Sequence, residues 1–201
     1  MAYSDFDLKT VRERFGLILH EQTDLFVTAQ EATVADRLRE ILEEWGPAAL
    51  AMNTEKARSE MIIAPFLMEV VRLTGRQVSL FSGITFDVDK ERGLNGVCDY
   101  LLASSPEQFF LSHPVLAVVE AKKEDIAGGL GQCVAEMVGA QTFNEREGSG
   151  PKTIHGVVTT GSNWRFLKLE GNNVFIDRSE YYLHQAGKIL GILQSIVGAE
   201  R

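Results

Sequence analysis

This 201-residue sequence predicts an α/β fold, on three observations. Apolar residues recur at spacings of three and four in the first third, and after Gly75 the pattern changes to short apolar runs bounded by Gly, Asn, Ser and Pro. Helical spacing then returns twice. Side chains three or four apart share a helix face, whereas a short apolar run between turn formers suits a strand buried in a sheet. The resulting order is helix, three strands, helix, strands, helix.

Taken in order, Leu8 to Phe15 reads as a short helix stopped by Gly16, and Leu17-Ile18-Leu19 as a short strand. Thr33 and Asp36 resemble a capping box. Val34, Leu38, Ile41, Leu42 and Trp45 follow at helical spacing, and Gly46-Pro47 is expected to end that helix. A second helix is expected from Glu55 to Leu73, stopping at Gly75, with Met61, Ala64, Leu67, Met68 and Val71 on its core face and a kink or a break at Pro65. Val78 to Asp87, Val97 to Ala103 and Val115 to Ala121 read as three strands, neighbours in one sheet. A helix from Leu130 to Asn144 follows, then strands at Ile154 to Thr159, Trp164 to Leu169 and Val174 to Ile176. Tyr182 to Val197 closes the chain as an amphipathic helix lying on the sheet. Glu147-Gly148-Ser149-Gly150-Pro151 is the expected mobile loop.

Composition narrows the function classes. With 45% apolar and 24% charged residues, the chain suits one compact domain with a real core. No apolar run is long enough to cross a bilayer and the N-terminus carries no signal-peptide pattern, so a soluble, cytoplasmic protein without a membrane partner is expected. Cys98 and Cys133 form no CxxC pair and read as buried thiols. The net charge of −8 weighs against tight, sequence-independent nucleic-acid binding by the isolated chain. His20, His113, His155 and His184 are isolated, there is no G-x-S-x-G, and Gly128-Gly129-Leu130-Gly131 lacks the Lys-Ser/Thr of a phosphate loop, so it reads as a flexible helix start. Trp164 and Phe166 suit either base stacking or the core.

The chemistry concentrates around Asp99 and the run Val115-Leu116-Ala117-Val118-Val119-Glu120-Ala121-Lys122. In a strand successive side chains alternate faces, so Glu120 and Lys122 point one way while Val119 and Ala121 point the other. Two carboxylates and an ammonium within reach of one point are equipment for metal-assisted phosphodiester hydrolysis. A solvent-facing ion pair would use the same residues, but strands this apolar are generally covered on both faces.

The segments Gly96-Val97-Cys98-Asp99-Tyr100 and Val118-Val119-Glu120-Ala121-Lys122 resemble the PD-(D/E)xK nuclease superfamily over the middle half of the chain. The chain is similar to a small stand-alone relative of restriction-enzyme nuclease domains. Cys98 stands where the motif's name has proline. The resemblance implies a restriction-endonuclease-like core, a central mixed β-sheet flanked by helices, built as helix, three-strand meander, helix and strand. It would occupy residues 53–170, with an N-terminal extension over 1–52 packed on it and a terminal strand and helix over 171–201. It also implies that Glu60, on the first core helix, joins the site, and that Gln132, on the helix after the E-x-K strand, positions water or phosphate.

Under that resemblance Mg²⁺, with Mn²⁺ as a substitute, is held by Asp99, Glu120 and the backbone carbonyl of Ala121, with Glu60 holding a bound water or a second ion. Lys122 either orients the attacking water or stabilises charge in the transition state. Glu60 also suits the favourable field of a helix start, and Gln132 equally suits capping. The expected activity is a metal-dependent endonuclease with DNA as substrate, a homodimer or partner subunit supplying the basic surface the chain lacks. A catalytically silent nucleic-acid-binding or assembly module of the same fold is the alternative.

Overall fold

The computed structural model describes residues 1–148 and 151–198. In chain order the elements are α1 (Leu8–Phe15), β1 (Ile18–Thr23), α2 (Asp36–Met52), α3 (Glu55–Arg58), a π-helical turn (Ser59–Ile63), α4 (Ala64–Leu73), β2 (Ser79–Thr85), β3 (Val97–Ala103), β4 (Val115–Ala121), α5 (Ile126–Arg146), β5 (Thr153–Thr159), β6 (Asn163–Glu170), β7 (Asn173–Asp177), β8 (Tyr181–Tyr182) and α6 (Ala186–Gly198). They build a mixed α/β architecture around an open, mostly antiparallel sheet of order β1-β7-β6-β5-β4-β3-β2, with β8 pairing on β6. β2, β3 and β4 form an antiparallel meander, α5 crosses over, and β5 lies parallel to β4. β1 joins the far edge parallel to β7.

Helices cover both faces. One apolar layer packs α2, α4 and α6 against Ala117, Val119 and Ala121 of β4, with Val157, Trp164 and Phe166. The other packs α1 and α5 against Val118, Val158, Leu167 and Leu169. β4 is therefore buried along its whole length, as expected of a strand whose two faces both carry apolar side chains. Trp164 and Phe166 belong to this core, and the Trp164 indole N–H donates to the Gly161 carbonyl at 3.1 Å. Among the described residues no helix is long and apolar enough to cross a membrane.

Several elements depart from the sequence expectations. α2 starts after Ala35 with no side-chain cap, and continues through Gly46 and Pro47 to a left-handed Asn53 (φ 50). Pro47 removes a single backbone donor, and the flanking turns carry the helix past it. Trp45 faces outward, while Leu38 and Ala49 face the core. The helix expected over 55–73 takes the break allowed at Pro65 as a π turn over Ser59–Ile63, a wider turn that relieves the clash of the proline ring with the carbonyl four residues back. The extra residue rotates the stripe, so Ile62, Ile63, Phe66, Leu67, Val70 and Val71 are buried and Met68 is 52% exposed. α5 begins before Gly128, capped by Asp125, which accepts from the Gly128 N–H at 2.9 Å; the glycine cluster is helix, not a flexible lead-in. The closing helix starts only at Ala186, because Tyr181–Tyr182 add to the sheet. Ser149 and Gly150 of the expected mobile loop lie outside the described residues.

Candidate active site

The geometry of β2, β3 and β4 at one end of the sheet places the first carboxylate. The β3–β4 ladder reaches Tyr100↔Val119 and stops short of Asp99. Opposite Asp99, Gly83 of β2 takes a left-handed conformation (φ 62) that a side chain would strain. The strand twists there: Tyr100 packs in the α4 layer while Cys98, two residues away, packs in the α5 layer. Asp99 sits at that twist, and its Oδ2 accepts the Ala121 N–H at 2.8 Å in place of a backbone carbonyl.

β4 supplies the rest. Glu120 shares the face of Val118 and points toward α5, where it is 2% exposed. The Lys122 ammonium donates to Glu120 Oε1 at 2.5 Å and to Gln132 Oε1 at 3.2 Å. The Gln132 amide nitrogen in turn donates to Glu136 Oε1 at 3.1 Å. Gly129 lets the first turn of α5 lie on the lysine stem, since a Cβ there would stand 2.8 Å from Val158 Cγ1 and 3.0 Å from Lys122 Cγ. Farther along α5, the buried Asn144 amide bonds both the N–H and the C=O of Val115, each at 2.8 Å. The helix is thus pinned to β4 at both ends, which fixes Gln132 and Glu136 over Glu120.

The electrostatics follow from burial. Burial raises the Asp99 carboxyl above its usual range, against the pull of the Ala121 N–H and the Lys122 ammonium. Burial, then the Asp99 charge, pushes Glu120 up to about 7. Burial and the neighbouring Glu120 hold Glu136 well above the carboxylate range. Desolvation pulls Lys122 down, but the Glu120 carboxylate outweighs it and keeps the amine above its ordinary value. The ammonium thus meets the Glu120 carboxyl directly and feels the Asp99 charge, while Glu136 acts on Glu120 and on Gln132. Oε2 of Glu120 and Oε2 of Glu136 are buried and, among the described residues, meet no N–H or hydroxyl donor, but the two carboxyl groups lie within hydrogen-bonding reach of each other, so the proton held by Glu136 can be shared with Glu120.

Asp99, Glu120, Ala121, Lys122 and Gln132 are therefore brought together, and Glu60 stands apart from them. It lies in the π turn, 61% exposed at the side chain, and pairs with Lys56 at 3.0 Å; its charge is felt at Tyr100. The acid of that helical region whose charge reaches Lys122 is Glu55. Tyr100 bonds Ser59 Oγ at 2.7 Å, and the Arg58 guanidinium donates to the Thr160 carbonyl at 2.9 Å, so these helices are tied to the strands beside the site. Basic residues nearby are engaged within the chain: Arg165 with Glu180, Lys168 with Glu170, Lys123 with Glu124. Glu136 escaped the sequence reading. Its signal was an acid in the apolar run Cys133-Val134-Ala135-Glu136-Met137-Val138, one helical turn after Gln132.

Asp99 and Glu120 offer hard oxygen donors, the kind of group a divalent cation satisfies. Among the described residues no group of three or more His, Cys, Asp and Glu side chains is arranged to hold a metal ion. A two-carboxylate pair suits an ion such as Mg²⁺, which keeps several of its waters. No protein-family model, curated protein or solved structure matches the chain.

Proposed function

We propose that this chain is a Mg²⁺-dependent phosphodiester hydrolase of the PD-(D/E)xK type, acting as an endonuclease on DNA from a restriction-endonuclease-like core. The observation that carries the reading is the buried excess of carboxyl groups over ammonium at Asp99, Glu120, Glu136 and Lys122, drawn together at the end of β4. A scaffold gains nothing from such a cluster, since uncompensated buried charge is costly. The order of meander, crossover helix and parallel strand supports the same reading.

Asp99, Glu120 and the Ala121 carbonyl would hold the ion, which supplies Lewis acidity toward a phosphoryl oxygen and an acidified water. The chain's own residues do the positioning. Lys122 stays an ammonium because Glu120 stabilises its charge, which favours the charge-stabilising role over that of a base. Of its three donors, two are engaged by Glu120 and Gln132, leaving one N–H for an oxygen of the reacting phosphate. Gln132 gives the ammonium a second acceptor at 3.2 Å beside Glu120.

The acidic balance and the in-chain pairing of Arg165 and Lys168 favour a second subunit or a homodimer as the source of basic surface. The same observations are what support the catalytically silent binding or assembly module. Incubation with Mg²⁺ or Mn²⁺ and a panel of single-stranded, duplex and branched DNA and RNA separates the two. Cleavage by wild type that is lost in Glu120→Ala and Lys122→Ala supports the hydrolase; an inert wild type with no metal-dependent thermal stabilisation supports the silent module.

A further inference from the structure

We infer that Glu136 is a positioning residue: its buried carboxyl fixes the orientation of the Gln132 side-chain amide, and through that amide holds the Lys122 ammonium against Glu120. The role assigned to Lys122 rests on the hydrolase reading; the ordering of the amide does not.

A carboxamide has nearly the same shape either way round, so its neighbours must choose its orientation. Lys122 can only donate, and its Nζ lies 3.2 Å from Gln132 Oε1. Glu136 Oε1 accepts from the opposite end at 3.1 Å. With the amide reversed, an NH₂ would face the ammonium, a repulsive contact in place of a hydrogen bond, and the N–H bond to Glu136 Oε1 would be lost. Removing Glu136 removes half of that choice. Nothing in the packing asks for an acid at this position, where Cys133, Val134, Ala135 and Met137 are apolar and buried. Glu136 is itself fully buried, and its hydrogen bond is to Gln132, with the Glu120 carboxyl close enough to interact directly. Such a costly group is retained where it orders its neighbours. It sits on a helix held at Gly129 and at Asn144, so the order it imposes is rigid. Outer residues that orient reactive ones typically change activity by about 10- to 100-fold when removed.

The test uses the full chain with Glu136→Leu, Glu136→Gln, Gln132→Ala and the double variant Gln132→Ala with Glu136→Leu. Two readouts are taken: hydrogen exchange of the Gln132 side-chain amide by NMR without metal, and cleavage kinetics with Mn²⁺. The expected result is a protected Gln132 amide in wild type and loss of protection in Glu136→Leu. Glu136→Gln, which still presents an acceptor, should recover protection and most of the lost rate. In Glu136→Leu, kcat should fall by about 10- to 100-fold with KM little changed, and the double variant should be no slower than Gln132→Ala alone. A freely exchanging Gln132 amide in wild type overturns the inference even if Glu136→Leu does not fold. A kcat loss in Glu136→Leu that adds to that of Gln132→Ala overturns it as well. A wild type that cleaves nothing defeats the hydrolase reading, and the exchange result still decides the role of Glu136.

Discussion

Replacing Glu120 with glutamine should stabilise the metal-free protein, and the gain should depend on pH. Glu120 is 2% exposed, and burial with the Asp99 charge lifts its pKa from 4.5 to about 7. Because the folded state holds this proton more tightly than the unfolded state, the folded state binds more protons between those two values. Stability contributed by the group is therefore full below about 4.5 and is lost as pH rises through about 7. The shift corresponds to about 3 kcal/mol, which Glu120→Gln would recover at pH 8 and above and which largely vanishes at pH 4.5. For a chain of this size that amounts to a Tm difference of roughly 6–12 °C at pH 8. The assay is urea or thermal unfolding of both proteins in chelator from pH 4.5 to 8.5. Contributions common to both, such as His155, cancel in the difference. Excess Mg²⁺ should stabilise wild type at pH 8 and close the gap, since a ligand that binds only the folded state stabilises it. A variant that is less stable than wild type at pH 8, or a difference that does not change with pH, would refute the reasoning.

Other perturbations probe the frame around the site. Asn144→Leu should cost about 2–4 kcal/mol in urea unfolding, because it strands a buried N–H and C=O of Val115. Gly129→Ala should lower stability by about 1 kcal/mol despite the better helix propensity of alanine, and should slow cleavage, because its Cβ meets Val158 and the Lys122 stem. Burial lowers the His155 pKa to about 4, so the unfolded state binds more protons between about 4 and 6.5. Stability from this group should rise over that interval by at most about 3 kcal/mol, an arm that His155→Asn flattens in denaturant midpoints measured against pH.

The three meander strands were legible because each is a continuous apolar run between turn formers, and a strand covered on both faces needs no alternation. The grouping of Glu120 with Lys122 was legible from the period of two alone. Helix limits were less so. Pro47 and Pro65 are the same signal in the sequence, yet one sits inside α2 and the other follows a π turn, because tertiary packing of the flanking turns decides whether a lost donor ends a helix. Gly128, Gly129 and Gly131 suggested flexibility, but they are helical because neighbouring groups approach too closely for side chains: Asp125 at Gly128, Lys122 and Val158 at Gly129, the Asp7 backbone at Gly131. Glu60 was placed at the site by the resemblance alone, whereas the π turn sends it outward to Lys56. Glu136 was hidden because a lone acid in an apolar run reads as a helix's wet edge until its burial is known.

Diffraction from crystals grown with Mn²⁺, with the ion located by its anomalous signal, tests the central claim most directly. One ion is expected to contact an Asp99 oxygen and Glu120 Oε2, with that signal abolished in Glu120→Gln. Ordered Asp99 and Glu120 side chains with no anomalous density between them at millimolar Mn²⁺ would contradict it.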